Sequence, residues 1–444
     1  MKSRVALVRY KKPLESVKRA FDLANGLEKL ASETNVFIKP NIPFWSKEAD
    51  FPKWGVITTS RVVEDVVALL NRRGLKNITI GEGTVILPKD KETPAHAFKS
   101  LGYNRLGEHY GVRVVNIHER PFEEVDLGGF SVKLSSELLH SDLVIDLPVL
   151  KTHAQAVVSL GMKNLKGTLD IESRKKMHTP EDGLDLHSKI AKLPDKLPPI
   201  FTLIDGIFTL ERGPGPDGRA HRKDILIASK DLLSADMVGA KLLGYEPSEV
   251  PHLVHAAKLN ERTLDLSDVE IIGERIEDVV SFHQYDFPYN EDGSLHMSLV
   301  KRGVKGLTYH KYDSTMCTYC STLNGAILIA INNAWNGEPW ADVEVLTGKV
   351  MRPTPGHKKT ILLGKCMYNL NKDDPNINEL IAVRGCPPSP KAVVRAFHRA
   401  GINIEPSFIE NIEAGVGFLM FRYADKPEFD ESFFEVDKFL TLPK

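Results

Sequence analysis

Cysteine is scarce in this sequence, with four in 444 residues, and that excludes a disulfide-stapled secreted scaffold. An excess of either charge is also missing. Lys plus Arg number 58 against 59 for Asp plus Glu, a formal net charge of -1, so no global field favours nucleic acid and any anion binding must be local. No apolar run approaches the length of a membrane span. The N-terminus, MKSRVALVRYKKPLESVKRA, lacks the apolar core and small-residue cleavage site of a signal peptide. The expectation is a cytoplasmic chain without nucleic acid or membrane among its partners. Neither a dinucleotide-binding fingerprint nor a Walker motif supports nicotinamide or nucleoside triphosphate.

What is present is an alternation of short β-branched runs with amphipathic stretches: NVFIKPN, SRVVEDVVALLNRRG, NITIGEG, HAFKSLGYNRLGEHYG and VRVVNIH. Strand and helix taking turns at this spacing predict an α/β fold of mostly parallel sheets flanked by helices. DLVIDLPVL, FTLIDGIF and KDILIASKD continue the series as buried strands. Residues 168–198 are polar and Pro-bearing, and read as a mobile excursion followed by a short helix. The length exceeds one typical core. The expected organisation is an α/β anion-binding region over 1–270, a polar connector over 271–305 and a smaller C-terminal α/β domain over 306–444. Oligomeric state is open, a homo-oligomer included.

All four cysteines fall in that last region, at telling places. Cys366 follows the strand KTILLGK, Cys386 follows ELIAVRG, and Cys317 and Cys320 open a helix. In open parallel sheets the loops at the carboxyl ends of strands converge on one crevice, so distant cysteines at strand ends can meet at one metal. With thiols reduced in the cytoplasm, a metal group is expected in preference to disulfides. The choice is a 4Fe–4S cluster or a Cys₄ zinc site. Structural zinc usually uses two close pairs of cysteines, and only one close pair occurs here, which favours the cluster. The bland alternative is four buried small hydrophobes.

Cys317-Thr318-Tyr319-Cys320, Gly364-Lys365-Cys366 and Arg384-Gly385-Cys386-Pro387-Pro388-Ser389-Pro390 are similar to the cluster ligands of nickel–iron hydrogenase small subunits and of the related complex I subunit. That resemblance, over roughly residues 310–400, implies a 4Fe–4S cluster on a flavodoxin-like sheet. With every iron carrying a thiolate, the cluster would relay electrons and not bind substrate.

The N-terminal region places polar residues at strand ends: Lys39-Pro40-Asn41, Gly81-Glu82-Gly83, Lys151-Thr152-His153, Lys163-Asn164, Lys166 and Asp205. Several cations meeting in one crevice would select a small anion such as a carboxylate or phosphate. Lys151, His153, Lys163, His178 and Asp205 are the catalytic candidates; Lys39, Asn41, Glu82, Asn164 and Lys166 are the substrate-binding ones. For His178 and His187 a surface position is weighed against a lid carrying a proton donor, and for Asp205 and Asp236 helix or turn capping is weighed against substrate contact. Gly213-Pro214-Gly215-Pro216 reads as a rigid loop, because prolines remove the N–H donors a phosphate cradle needs.

IKPN, GEGT, PVLKTH, MKNLKG, LIDGI with GPGPDG, and SADMVGAKLLG resemble, in order, the motif string of the domain of unknown function 362 family over roughly residues 35–260. Members of that family often carry a ferredoxin-type cluster segment; this chain lacks its dense cysteine pattern. A looser similarity of the His153 to Lys163 run to lactate racemase-type enzymes implies a nickel pincer cofactor. The leading expectation is an iron–sulfur oxidoreductase of anaerobic metabolism acting on a small anionic substrate, with a redox partner protein. The alternatives are a non-catalytic electron-transfer or cofactor-maturation protein, and a nickel-pincer-like racemase or lyase whose cysteine domain is structural.

Overall fold

The computed structural model describes residues 2–28, 30–85 and 92–436. Two compact units divide the chain. The first comprises residues 1–174, 187–286 and 418–444; the second comprises 175–186 and 287–417. The change at 286/287 falls within the connector expected over 271–305, whereas 175–186 and the segment from 418 lie outside the linear bounds. Residues after 417 return to the first unit because their aromatic rings find partners there: Tyr423 and Phe429 pack on Trp54, and Phe433 and Phe434 pack on Phe208.

The first unit is built on a ten-stranded mixed sheet. Its strands are β1 (Ser3–Arg9), β2 (Val36–Pro40), β3 (Ile78–Glu82) and β4 (Arg113–Asn116), all described by their β-branched runs. A separate hairpin, β5 (Phe122–Asp126) and β6 (Ser131–Ser135), precedes β7 (Leu143–Leu147), β8 (Val149–His153), β9 (Val157–Val158), β10 (Ile200–Glu211), β11 (Arg219–Ser229) and β12 (Val269–Gly273). The order is β12-β1-β11-β10-β7-β2-β3-β4, with β8 and β9 joined through β10. From β10 to β4 the pairing is parallel, whereas β11 runs antiparallel to both β10 and β1.

Parallel strands covered on both faces read as continuous apolar runs, and β2 is buried at all five positions. The helix Ser60–Arg72 buries its valines and leucines against this sheet and starts at Thr59, whose hydroxyl accepts the Val62 N–H. The amphipathic run from His96 to Gly111 is two helices, Thr93–Ser100 and Tyr103–Tyr110. Gly102 breaks it: its φ of 75° suits glycine, and a Cβ there would lie 2.7 Å from Val436 Cβ. The expected excursion at 168–198 is also more ordered than its polarity suggests. It forms the helices Ile171–Met177 and Leu186–Lys192, and Lys189 is buried with its ammonium 4.0 Å from the centre of the Phe130 ring.

The second unit carries a four-stranded, wholly parallel sheet in the order β13 (Leu307–Tyr309), β14 (Val343–Leu346), β15 (Lys359–Leu363) and β16 (Glu379–Val383). One face packs the helices Thr318–Ala334 and Pro390–Ala400 through Leu323, Ile327, Ile331, Val393 and Phe397. Leu346, Leu362 and Met367 form a smaller cluster of their own. Among the described residues no helix is long and apolar enough to cross a membrane.

Phe397 is fully buried in the larger cluster. Phe397→Ala should therefore destabilise the second unit by about 3–5 kcal/mol, read as an earlier urea unfolding transition; an unmoved transition would show that this face does not hold the unit together.

Candidate functional site

In the first unit, five of the expected residues meet at the carboxyl ends of β2, β3 and β7. Lys39, the penultimate residue of β2, donates from Nζ to Glu82 Oε2 at 2.6 Å, to the Pro40 carbonyl at 2.7 Å and to Asn164 Oδ1 at 3.2 Å. Asn164 Oδ1 also accepts from Asn41 Nδ2 at 2.8 Å, and its own amide donates to Asp146 Oδ1 at 2.7 Å. Lys151, on β8, donates to Asn41 Oδ1 at 2.6 Å and to the Val56 carbonyl at 2.7 Å. One buried hydrogen-bonded chain thus runs from Glu82 through Lys39, Asn164 and Asn41 to Lys151.

Glycine at 167 permits this closeness, since a Cβ there would sit 2.9 Å from Lys39 Nζ and 3.1 Å from Glu82 Oε1. Glu82 further accepts the N–H groups of Ile42 and Gly83. Asp146 belongs to the cluster but was not among the expected residues. Its signal was a carboxylate inside the apolar strand DLVIDLP, and burial holds its pKa well above the usual range.

These bonds change the expected charge pattern. The Lys39 charge is matched by Glu82 with both side chains out of water. Burial, and then the charge of Lys163, push the Lys151 ammonium well below its ordinary pKa. Neither side chain is free to clasp an incoming anion. Lys163 and Lys166 lie beside this chain, on the helix Leu160–Leu165 and the turn that follows it.

Lys163 Nζ stands 3.1 Å from His153 Nε2, and His153 Nδ1 accepts the Gln155 N–H at 3.1 Å. With Nδ1 used as an acceptor, a neutral ring carries its proton on Nε2, facing the lysine amine. Burial lowers Lys163 to about 8, so its neutral amine is within reach near ordinary pH and can accept the Nε2–H hydrogen bond.

Two candidates do not join this group. Asp205 takes the capping position weighed for it: it accepts the Thr59 N–H and hydroxyl at 2.8 Å each and the Ile207 N–H at 3.0 Å, tying the start of a helix to β10. His178 belongs to the second unit, where it is buried and its Nδ1 lies 2.8 Å from the Ser314 carbonyl; a surface position is overturned.

The second unit carries all four cysteines in the turns and helix starts that follow its strands. Cys317 caps the helix Thr318–Ala334 after β13, Cys366 lies in the helix Lys365–Asn371 after β15, and Cys386 follows β16. The Gly364 N–H donates to the Val383 carbonyl at 2.8 Å and the Lys365 N–H to the Gly385 carbonyl at 3.0 Å, joining the Cys366 and Cys386 loops. A Cβ on Gly364 would be 3.6 Å from Cys320 Sγ.

No cysteine is in a disulfide. The Cys320 thiol, bonded to Cys317, holds Cys317 down at about 5, while Cys320 itself is pushed up by that bond, by burial and by the charges of the other three cysteines. Among the described residues, no three His, Cys, Asp or Glu side chains gather as one metal ion would need them. Lys349, after β14, feels all four cysteines and was missed from sequence. The strand-end rule applied to VEVLTGK would have found it.

Asp236 positions the first site. It accepts the N–H groups of Gly161 at 2.7 Å and Met162 at 2.9 Å, at the start of the helix bearing Lys163 and Asn164. Burial outweighs these bonds and pushes its carboxyl up to about 7. The folded protein keeps this proton to a higher pH than the unfolded chain does, so raising pH from about 4 to about 7 removes stability through this group. Asp236→Asn cannot ionise. Its stability relative to the wild type should rise across that window by a few kcal/mol, at roughly 1.4 kcal/mol per pH unit, in urea unfolding at several pH values; a flat difference would show that Asp236 ionises normally.

Residues 36–241 match the family model described as a domain of unknown function, DUF362. Over 234 residues the chain is 31% identical to the thylakoid-associated protein sll1697 of Synechocystis sp., an alignment covering 50% of this chain and 67% of that protein. Among solved structures, the lactate racemase apoprotein from Thermoanaerobacterium thermosaccharolyticum aligns at 12% identity with a TM-score of 0.33, over 55% of this chain and 57% of that one. So distant a likeness carries no weight on function. The family match and the cyanobacterial relative together place the chain plainly: it belongs to the DUF362 family.

Proposed function

We propose that the protein is an iron–sulfur oxidoreductase in which Cys317, Cys320, Cys366 and Cys386 hold a 4Fe–4S cluster that relays electrons to or from a small anionic substrate. The observation that carries this reading is the meeting of four thiols from three strand-end loops in one electrostatic neighbourhood. The donor set fits the group. Four soft thiolates suit iron and sulfide, and the corners of a cubane are farther apart than the donors of one zinc ion. The N-terminus of the 17-residue helix after Cys317 adds N–H groups and a favourable dipole for thiolate charge. When bound through four cysteines, such a cluster supplies one-electron transfer and leaves no iron open to substrate.

On the substrate side, Lys166 and the ammonium form of Lys163 attract the anion, and the neutral amine of Lys163 can take up a proton from the bound substrate. The buried chain of Lys39, Glu82, Asn41, Asn164 and Lys151 keeps the loops that carry them in place. A second reading is favoured by the exposure of Cys366 and Cys386: a cluster at that surface would also serve a partner protein in electron transfer.

Protein purified without oxygen should contain about four irons and four sulfides per chain, and Cys386→Ser should lose most of both. One zinc per chain without sulfide would overturn the reading. Because the Lys163 ammonium is lost above about pH 8, calorimetric affinity for small carboxylates should fall as pH rises through that value. Lys163→Met should bind weakly with no break there; a wild-type affinity independent of pH would remove Lys163 from the site.

A further inference from the structure

We infer that Lys349 is a fixed positive charge that sets the reduction potential of the group held by the four cysteines. The inference rests on the cluster reading and deepens it.

Lys349 lies in the loop after β14, the one strand of the parallel sheet whose end supplies no cysteine. Its main chain is locked to the loop that leads into Cys317: the Lys349 N–H donates to Thr315 Oγ1 at 2.8 Å. Gly348 permits that approach, with a φ of 78° and a would-be Cβ only 2.7 Å from the same hydroxyl. The ammonium is anchored too. It donates to the Lys175 carbonyl and to Thr179 Oγ1, both at 2.6 Å and both within the second unit.

Those two partners are neutral, so they orient the charge without cancelling it. Burial lowers the pKa of its ammonium, and the charges of all four cysteines oppose that effect. Its side chain is half-buried, which limits screening by solvent. The parallel sheet order sets the turn after β14 between the turns after β13 and β15, which carry Cys317 with Cys320 and Cys366, so Lys349 stands at the cysteine edge of the sheet.

The sign follows from charge. A 4Fe–4S group with four thiolates is a net anion, and reduction adds one more negative charge. A nearby cation favours the reduced form and raises the potential; its field acts through space, and Lys349 touches no reacting atom.

The test is a potentiometric titration of the full chain, purified or reconstituted anaerobically with iron and sulfide, followed by electron paramagnetic resonance. Lys349→Met should keep its iron and sulfide content while its midpoint potential moves to a more negative value. The expected shift in the one-electron equilibrium is at least about tenfold, ~59 mV. Lys349→Arg should stay near the wild type, because the charge is kept. Should Lys349→Met fold poorly, Lys349→Gln is titrated in its place with the same expectation. A neutral variant that holds the full cluster at the wild-type potential overturns the inference and leaves the cluster reading intact. Wild-type protein that assembles no cluster overturns both.

Discussion

Parallel strands deliver their loops to a common edge, and both units of this protein depend on that constraint. Neighbouring strands that run the same way must each leave the sheet at the same side before a helix returns the chain. In the first unit this brings Lys39, Glu82 and Asp146 to one edge although more than a hundred residues separate the first from the last. In the second it brings together the turns after β13, β14, β15 and β16, which carry Cys317 and Cys320, Lys349, Cys366 and Cys386 in turn. Residues of unlike sequence neighbourhood therefore share a field because of strand direction, before any side-chain bond is made.

The two edges handle charge differently. At the first, burial is nearly complete, and an unpaired ion there would cost several kcal/mol. Lys39 and Glu82 neutralise one another, the amides of Asn41 and Asn164 satisfy the remaining donors and acceptors, and Asp146 and Lys151 shift toward their neutral forms. The outcome is a buried support beside Lys163, whose ammonium burial lowers to about 8. At the second edge Cys366 and Cys386 are exposed, and the negative charge that four thiolates would carry there meets Lys349, Lys365 and a helix N-terminus. An arrangement that raises the cost of four thiolates standing alone is one that a cationic metal–sulfur core would relieve.

Much of this was legible in the residues. Period-two and period-3.6 apolar patterns carried the α/β class, and the strand-end positions of Lys39, Glu82, Lys151 and the four cysteines were visible as candidates. Three features were not legible. The return of the chain after residue 417 depends on aromatic contacts with Trp54 and Phe208, which no local pattern encodes. The 168–198 stretch read as a polar excursion before a short helix, and the helix Leu186–Lys192 is there, yet Lys189 on it is buried on the Phe130 ring. Asp205 had the same strand-end signature as Glu82, and only its bonds to Thr59 and Ile207 distinguish a cap from a site.

By itself, then, the sequence determined which segments become strands and helices and which chemical groups stand at strand ends, because those depend on local periodicity and on the chain turning where apolar runs stop. Tertiary structure decided what each group can do there. Whether a lysine is an anion-binding charge, a buried half of an ion pair, a proton carrier or a field source depends on its partners and its distance from water. Lys39, Lys163 and Lys349 have the same side chain and three different surroundings, and those surroundings are assembled from residues far apart in the chain.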